Sequence, residues 1–109
     1  MHQHLVAPVE VARLEEVAEG GGLAVFVGDR AIALWRIGDT VYATDDVCSH
    51  MQAILSEGHA DGYTITCPRH GGQFDMRTGA AIKMPAFAPI AVFPVEVRDG
   101  RIYLEGASL

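Results

Sequence analysis

The sequence predicts an all-β fold, in which an antiparallel β-sandwich base carries a small loop-rich subdomain. Short apolar runs separated by turn residues occupy both ends of the 109-residue chain, a texture typical of sandwiches and barrels. The middle of the chain differs, because it holds three of the five prolines and has only brief strand signals. The length fits a single domain, 1–109. We expect the base to comprise about 1–44 and 88–109, and the subdomain about 45–87.

The first part of the base shows strand patterns separated by hairpin signals. Leu14–Glu19 interrupts this series as a single helical turn, and Gly38-Asp39 has the form of a two-residue hairpin turn. The predicted strands are Val6–Ala12, Leu23–Val27, Ala31–Ile37 and Thr40–Thr44.

The second part of the base repeats this texture. Ile90–Arg98 is β-rich, Asp99-Gly100 is a strong type I′ turn signal, and Arg101–Leu104 forms the returning strand. Pro94 lies inside the first run and indicates an edge strand or a bulge. Between the two parts, strand signals are brief and cover only Tyr63–Cys67 and Gln73–Asp75.

Composition narrows the class of partner. The chain has 8 Lys and Arg against 14 Asp and Glu, a net charge of -6, which argues against nucleic acid. This acidity either steers a partner with a basic patch or only keeps the protein soluble. No apolar run approaches the roughly 20 residues that a membrane helix needs. The N-terminal residues lack the pattern of a signal peptide. We therefore expect a cytoplasmic protein without a membrane partner.

The two cysteines of the chain each lie close to a histidine, in Cys48-Ser49-His50 and in Cys67-Pro68-Arg69-His70. In the absence of an export signal, a structural disulfide is not expected, which leaves metal ligation or buried thiols. A Cys-x-His motif paired with a Cys-x-x-His motif is the ligand pattern of a Rieske [2Fe–2S] centre. In this interpretation Cys48 and Cys67 bind the inner iron, and His50 and His70 bind the outer iron.

A structural zinc site is the main alternative. Two cysteines and two histidines also form a closed tetrahedral zinc site, and by ligand type alone the two interpretations are equal. The usual zinc pattern pairs cysteine with cysteine and histidine with histidine, whereas each short motif here mixes the two. The mixed order therefore favours one [2Fe–2S] cluster, with a zinc-binding interaction domain as the alternative.

The motifs around the ligands resemble those of Rieske-type ferredoxins from bacterial aromatic-ring-hydroxylating dioxygenase systems. The resemblance rests on residues 48–85, and its recurrent elements are Leu55-Ser56-Glu57-Gly58, Phe74-Asp75 and Thr78-Gly79. In texture it extends from about Val9 to Leu104.

The resemblance implies a function as well as a fold. Members of this family take one electron from a flavin-dependent ferredoxin reductase that uses NAD(P)H and deliver it to the Rieske centre of a terminal oxygenase. They are therefore not enzymes by themselves. The resemblance also implies that Lys83-Met84-Pro85-Ala86 covers one side of the cluster. A small Rieske subunit of another reductase, such as a nitrite reductase-like system, remains a further alternative.

This chain departs from the high-potential members of the wider family. Those members carry an extra cysteine in each cluster loop and a serine shortly after the second histidine, where this chain has Ala53, Arg69 and Gly72. A missing hydroxyl donor to a sulfide leaves the reduced cluster less stabilised. We therefore expect a potential towards the lower end of the Rieske range of roughly -150 to +300 mV.

Two acidic residues precede the first motif and allow two interpretations. Asp45 and Asp46 either steer a basic partner or cap their own turn, as aspartate commonly does.

Overall fold

The computed structural model describes residues 8–49, 53–69, 71–86 and 88–105. Within these ranges the predicted all-β fold is confirmed, since the strands form three antiparallel sheets joined by loops and 3₁₀ turns. The strands are β1 (Val9–Arg13), β2 (Gly22–Val27), β3 (Arg30–Ile37), β4 (Thr40–Asp45), β5 (His59–Asp61), β6 (Thr64–Thr66), β7 (Gln73–Asp75), β8 (Ala81–Lys83), β9 (Val92–Phe93), β10 (Val95–Arg98) and β11 (Arg101–Leu104). The 3₁₀ turns are Leu14–Glu16 and Leu55–Glu57.

The sheets separate into a base and a smaller unit. The base contains a three-stranded sheet in the order β1-β11-β10 and a four-stranded sheet in the order β2-β3-β4-β9. The smaller unit is the sheet β5-β6-β7-β8. Among the described residues, no helix has the length and apolar character needed to cross a membrane.

The second part of the base confirms one turn and corrects one strand. Asp99 and Gly100 both have positive φ, 53° and 74°, as a type I′ turn requires, and Arg98 pairs with Arg101 across it. The predicted run Ile90–Arg98, however, is two strands, because Pro94 lies between β9 and β10. Since β9 and β10 belong to different sheets, Pro94 marks the point where the chain crosses from one sheet to the other.

Strand β3 is buried on both faces. Ile32 and Leu34 pack in the core between the two base sheets, whereas Ala33 and Trp35 pack in a second core beneath the smaller sheet. The Trp35 indole N–H donates to Thr44 Oγ1 at 3.1 Å, so the one polar group of this side chain is satisfied. Alternation along a single strand therefore supplies both cores.

The outer strands of the smaller sheet, β5 and β8, are absent from the strand signals of the sequence. Each has three residues, and most of their side chains are exposed or half-buried, so no apolar alternation marks them. Their conformation depends on pairing with β6 and β7.

Gly79 joins the smaller sheet to the base. Its carbonyl accepts the Ile90 N–H at 2.9 Å, and its φ is +81°. A Cβ at this position would collide with the Ile90 carbonyl oxygen. The close approach of the two segments therefore requires glycine here.

We predict that Gly79→Ala destabilises the protein much more than Gly28→Ala. Gly28 also has positive φ, 61°, but nothing lies within 4 Å of its added Cβ. Gly28→Ala therefore carries only the backbone cost of about 1–2 kcal/mol. Gly79→Ala adds an overpacking cost of about 1–3 kcal/mol. Denaturant unfolding followed by Trp35 fluorescence measures both, and equal losses would contradict the close approach.

Candidate metal centre

The two cysteines begin two loops that close in the same way. The Cys48 N–H donates to the Ala53 carbonyl at 2.9 Å, and the Cys67 N–H donates to the Gly72 carbonyl at 2.8 Å. We call residues 48–53 the first ligand loop and residues 67–72 the second ligand loop. Each loop spans six residues from donor to acceptor, with cysteine in first place.

The residues that flank these loops also pair in the same way. Val47 pairs with Ile54 in an isolated antiparallel bridge at the base of the first ligand loop. Thr66 pairs with Gln73 at the base of the second, where the pair belongs to the β6-β7 ladder. Both loops are therefore closed by equivalent pairs over the same number of residues, with a cysteine in first place in each.

Both cysteine residues are buried in the same apolar core, at 4% and 2% exposure. The same core contains Trp35 from the base, together with Phe74 and Met76. A thiolate in such surroundings is costly unless a cation neutralises it. Two buried cysteines from two loops in one apolar core therefore fit a metal centre.

The two predicted histidine ligands, His50 and His70, lie outside the described residues. In sequence, each lies between the cysteine that begins its loop and the residue whose carbonyl closes it. The structure thus brings the two cysteine positions together and leaves the histidine ligation as a prediction.

A third segment packs on both ligand loops. In the first loop, the Ser49 hydroxyl donates to the Ala88 carbonyl. In the second, a Cβ added to Gly72 would lie 2.9 Å from the Ala86 Cβ, so the two backbones approach closely. Ala86 is buried, whereas Met84 is 76% exposed. The segment that includes Pro85 therefore covers the ligand loops with one side and shows Met84 to solvent.

Asp46 is buried, which excludes one of the two interpretations that the sequence allowed. It is 2% exposed, so the alternative that it steers a basic partner is wrong. Its carboxylate accepts hydrogen bonds from Ser56, ten residues further on. Burial raises the pKa of the Asp46 carboxyl, and the hydrogen bonds from Ser56 act in the opposite direction.

Asp45 joins strand β4 to the segment that returns to the base. Its carboxylate accepts the Ala91 N–H at 3.0 Å and pairs with the Arg30 guanidinium at 3.2 Å. In the sequence, the only signal for these contacts of Asp45 and Asp46 was their position shortly before the first ligand loop.

Comparison with known proteins gives consistent matches. The family described as "Rieske [2Fe-2S] domain" matches residues 7–94. Ferredoxin CarAc of Metapseudomonas resinovorans is 48% identical over 80 residues, which cover 73% of this chain and 75% of the relative.

Two solved structures extend the similarity to the fold. The ferredoxin of carbazole 1,9a-dioxygenase from Nocardioides aromaticivorans IC177 has a TM-score of 0.87 and 36% identity, covering 91% of this chain and 97% of that one. A chain from the complex of reduced oxygenase and oxidized ferredoxin in carbazole 1,9a-dioxygenase has a TM-score of 0.83 and 41% identity. That match covers 91% of this chain and 93% of the other.

We predict that Gly72→Ala loosens the cover over the ligand loops. The new methyl group needs the space of the Ala86 methyl group, and overpacking of about 1.4 kcal/mol makes opening of the segment about tenfold more frequent. Loss of visible absorbance in the presence of a chelator measures this opening. Ala86→Gly in the same chain removes the shortest contact and leaves the Ala86 backbone nitrogen 3.0 Å from the new methyl group, so it should return the rate part of the way towards that of the unchanged protein. Failure of this rescue would contradict the steric account.

Proposed function

The chain belongs to the Rieske [2Fe–2S] domain family, and on that premise we propose that it carries single electrons from a flavin-dependent NAD(P)H reductase to a terminal ring-hydroxylating oxygenase. Its cofactor is one Rieske-type [2Fe–2S] cluster, so the zinc alternative is set aside. Ferredoxin components of this kind are electron carriers and not enzymes by themselves. We treat 1–109 as one Rieske domain, with a base of about 1–44 and 88–109 and a cluster-binding subdomain of about 45–87.

We propose that Cys48 and Cys67 hold one iron and that His50 and His70 hold the other. The observation that carries this proposal is the equivalent position of the two cysteines in two equal loops around one buried core. When bound, the cluster accepts and releases one electron. Trp35, which is fully buried in the core that contains both cysteines, would help to shield the bound cluster from water.

The oxygenase partner is proposed from the relatives. One solved relative is titled as a complex of an oxygenase and a ferredoxin, and others are named as ferredoxins of dioxygenase systems. The reductase follows from the chemistry of such a chain, since a one-electron carrier needs a donor. We place the carrier in the cytoplasm, where NAD(P)H is available to that reductase. These names favour an oxygenase system over a nitrite reductase-like one.

We propose a low reduction potential. Gly72 provides no hydroxyl group near the second ligand loop, and the Ser49 hydroxyl of the first loop donates to the Ala88 carbonyl. These two positions therefore offer no hydroxyl donor to a sulfide, and such hydrogen bonds are among the features that raise the potential.

A redox titration of the purified protein tests this proposal. The expected midpoint potential is roughly -150 mV, at the lower end of the Rieske range. A strongly positive midpoint would show that other donors stabilise the reduced cluster.

We predict that His70→Ala abolishes electron transfer to the oxygenase while the base stays folded, because the outer iron loses one of its two ligands. His59→Ala is the matched control, since this exposed imidazole lies in β5, outside both ligand loops. Reductase-coupled oxygenase turnover measures transfer, and circular dichroism measures the fold. Full activity of the His70 variant would refute the assigned role.

A further inference from the structure

The first ligand loop is held at its base by side-chain hydrogen bonds. The Asp46 carboxylate accepts the Ser56 N–H at 2.8 Å through Oδ1 and the Ser56 hydroxyl at 2.9 Å through Oδ2. The Asp46 carbonyl also accepts the Leu55 N–H at 2.7 Å. Three bonds therefore join the chain just before the loop to the chain just after it.

The second ligand loop is held differently. Its flanking residues Thr66 and Gln73 belong to a sheet, where β6 and β7 pair over three positions. The Gln73 side-chain amide also donates to Thr66 Oγ1 at 3.2 Å, but this bond only supplements the ladder. At the first loop, by contrast, Val47 and Ile54 form a single isolated bridge.

In the part of the chain that the structure describes, the first ligand loop has no ladder like that of β6 and β7 at its base, and the buried carboxylate of Asp46 lies where such a ladder would be. We propose that Asp46 and Ser56 form a brace that replaces the missing sheet and positions Cys48 for the cluster. The inference rests on the proposed function, because it concerns loading of the same centre. Both are positioning residues, since Asp46 acts on Cys48 through Val47. Ser56 acts through the two residues that precede it and the loop closure at Ala53.

Burial makes the brace sensitive to single changes. Asp46 is 2% exposed, so a lost partner is poorly replaced by water. Ser56→Ala removes the hydroxyl donor and keeps the backbone donor. Asp46→Asn preserves the side-chain shape but turns an NH₂ group towards one of the two Ser56 donors.

The first readout is the rate at which the loaded protein loses its visible absorbance in the presence of a chelator. For Ser56→Ala we expect a rate about tenfold higher than in the unchanged protein, and for Asp46→Asn a larger increase. Ser56→Thr keeps a hydroxyl and should restore the slow rate. Gln73→Ala is the matched control at the second loop and should change the rate less than about twofold, because the β6-β7 ladder remains.

The second readout separates positioning from general stability. The electron paramagnetic resonance spectrum of the reduced cluster should change in Ser56→Ala and return in Ser56→Thr. Denaturant unfolding of each variant is measured in parallel. If Asp46→Asn fails to fold, Ser56→Ala and Ser56→Thr still test the brace, with Gln73→Ala as the control.

The possible results are distinct. An unchanged bleaching rate and spectrum in Ser56→Ala, or equal acceleration in Gln73→Ala, overturns the brace. A lower unfolding midpoint without any change at the cluster also overturns it. If the unchanged protein binds no iron and sulfide at all, the proposed function itself fails, and that outcome is visible before any variant is made.

Discussion

Strand β3 is buried on both faces, and this double burial couples the base to the unit that carries the ligand loops. Ile32 and Leu34 close the core of the sandwich, whereas Ala33 and Trp35 form part of the core that contains both cysteines. A polar replacement on the second face would place an unsatisfied group in the floor of the metal centre, at a cost of about 1–3 kcal/mol. The base therefore contributes residues to the core of the site and also supports the unit that carries the ligand loops.

On this floor, the site is assembled from loops whose ends are fixed. Cys48 and Cys67 begin loops of equal length, and both residues belong to one buried core. One loop is fixed by the β6-β7 ladder and the other by the Asp46 carboxylate. Rigid loop ends suit an electron carrier, because ligands that stay in place keep the rearrangement between oxidation states small.

Much of the fold follows from local signals in the sequence. The turn at Asp99-Gly100 needs two positive φ values, which aspartate and glycine adopt more readily than most residues. In the sequence Pro94 indicates an edge strand or a bulge, whereas in the structure the chain breaks there and changes sheet, which depends on tertiary packing. The strands β5 and β8 could not be predicted, because short and largely exposed strands carry no apolar alternation.

The site, like the fold, could be predicted from the sequence only in part. The ligand pattern was visible because Cys48 and Cys67 are the only cysteines of the chain and each lies near a histidine. The bond partners of Asp46 were not visible, since they depend on a three-dimensional contact across ten residues. Short-range spacing therefore identified the chemistry, whereas the groups that hold it in place emerged only from the fold.

The measurement that tests the central claim most directly is pulsed electron paramagnetic resonance on the reduced protein labelled with ¹⁵N-histidine. The account predicts that two nitrogen couplings, assigned to His50 and His70, change from ¹⁴N to ¹⁵N on labelling. A reduced cluster without histidine nitrogen couplings, or with both couplings still present after replacement of either residue, would contradict the ligand assignment.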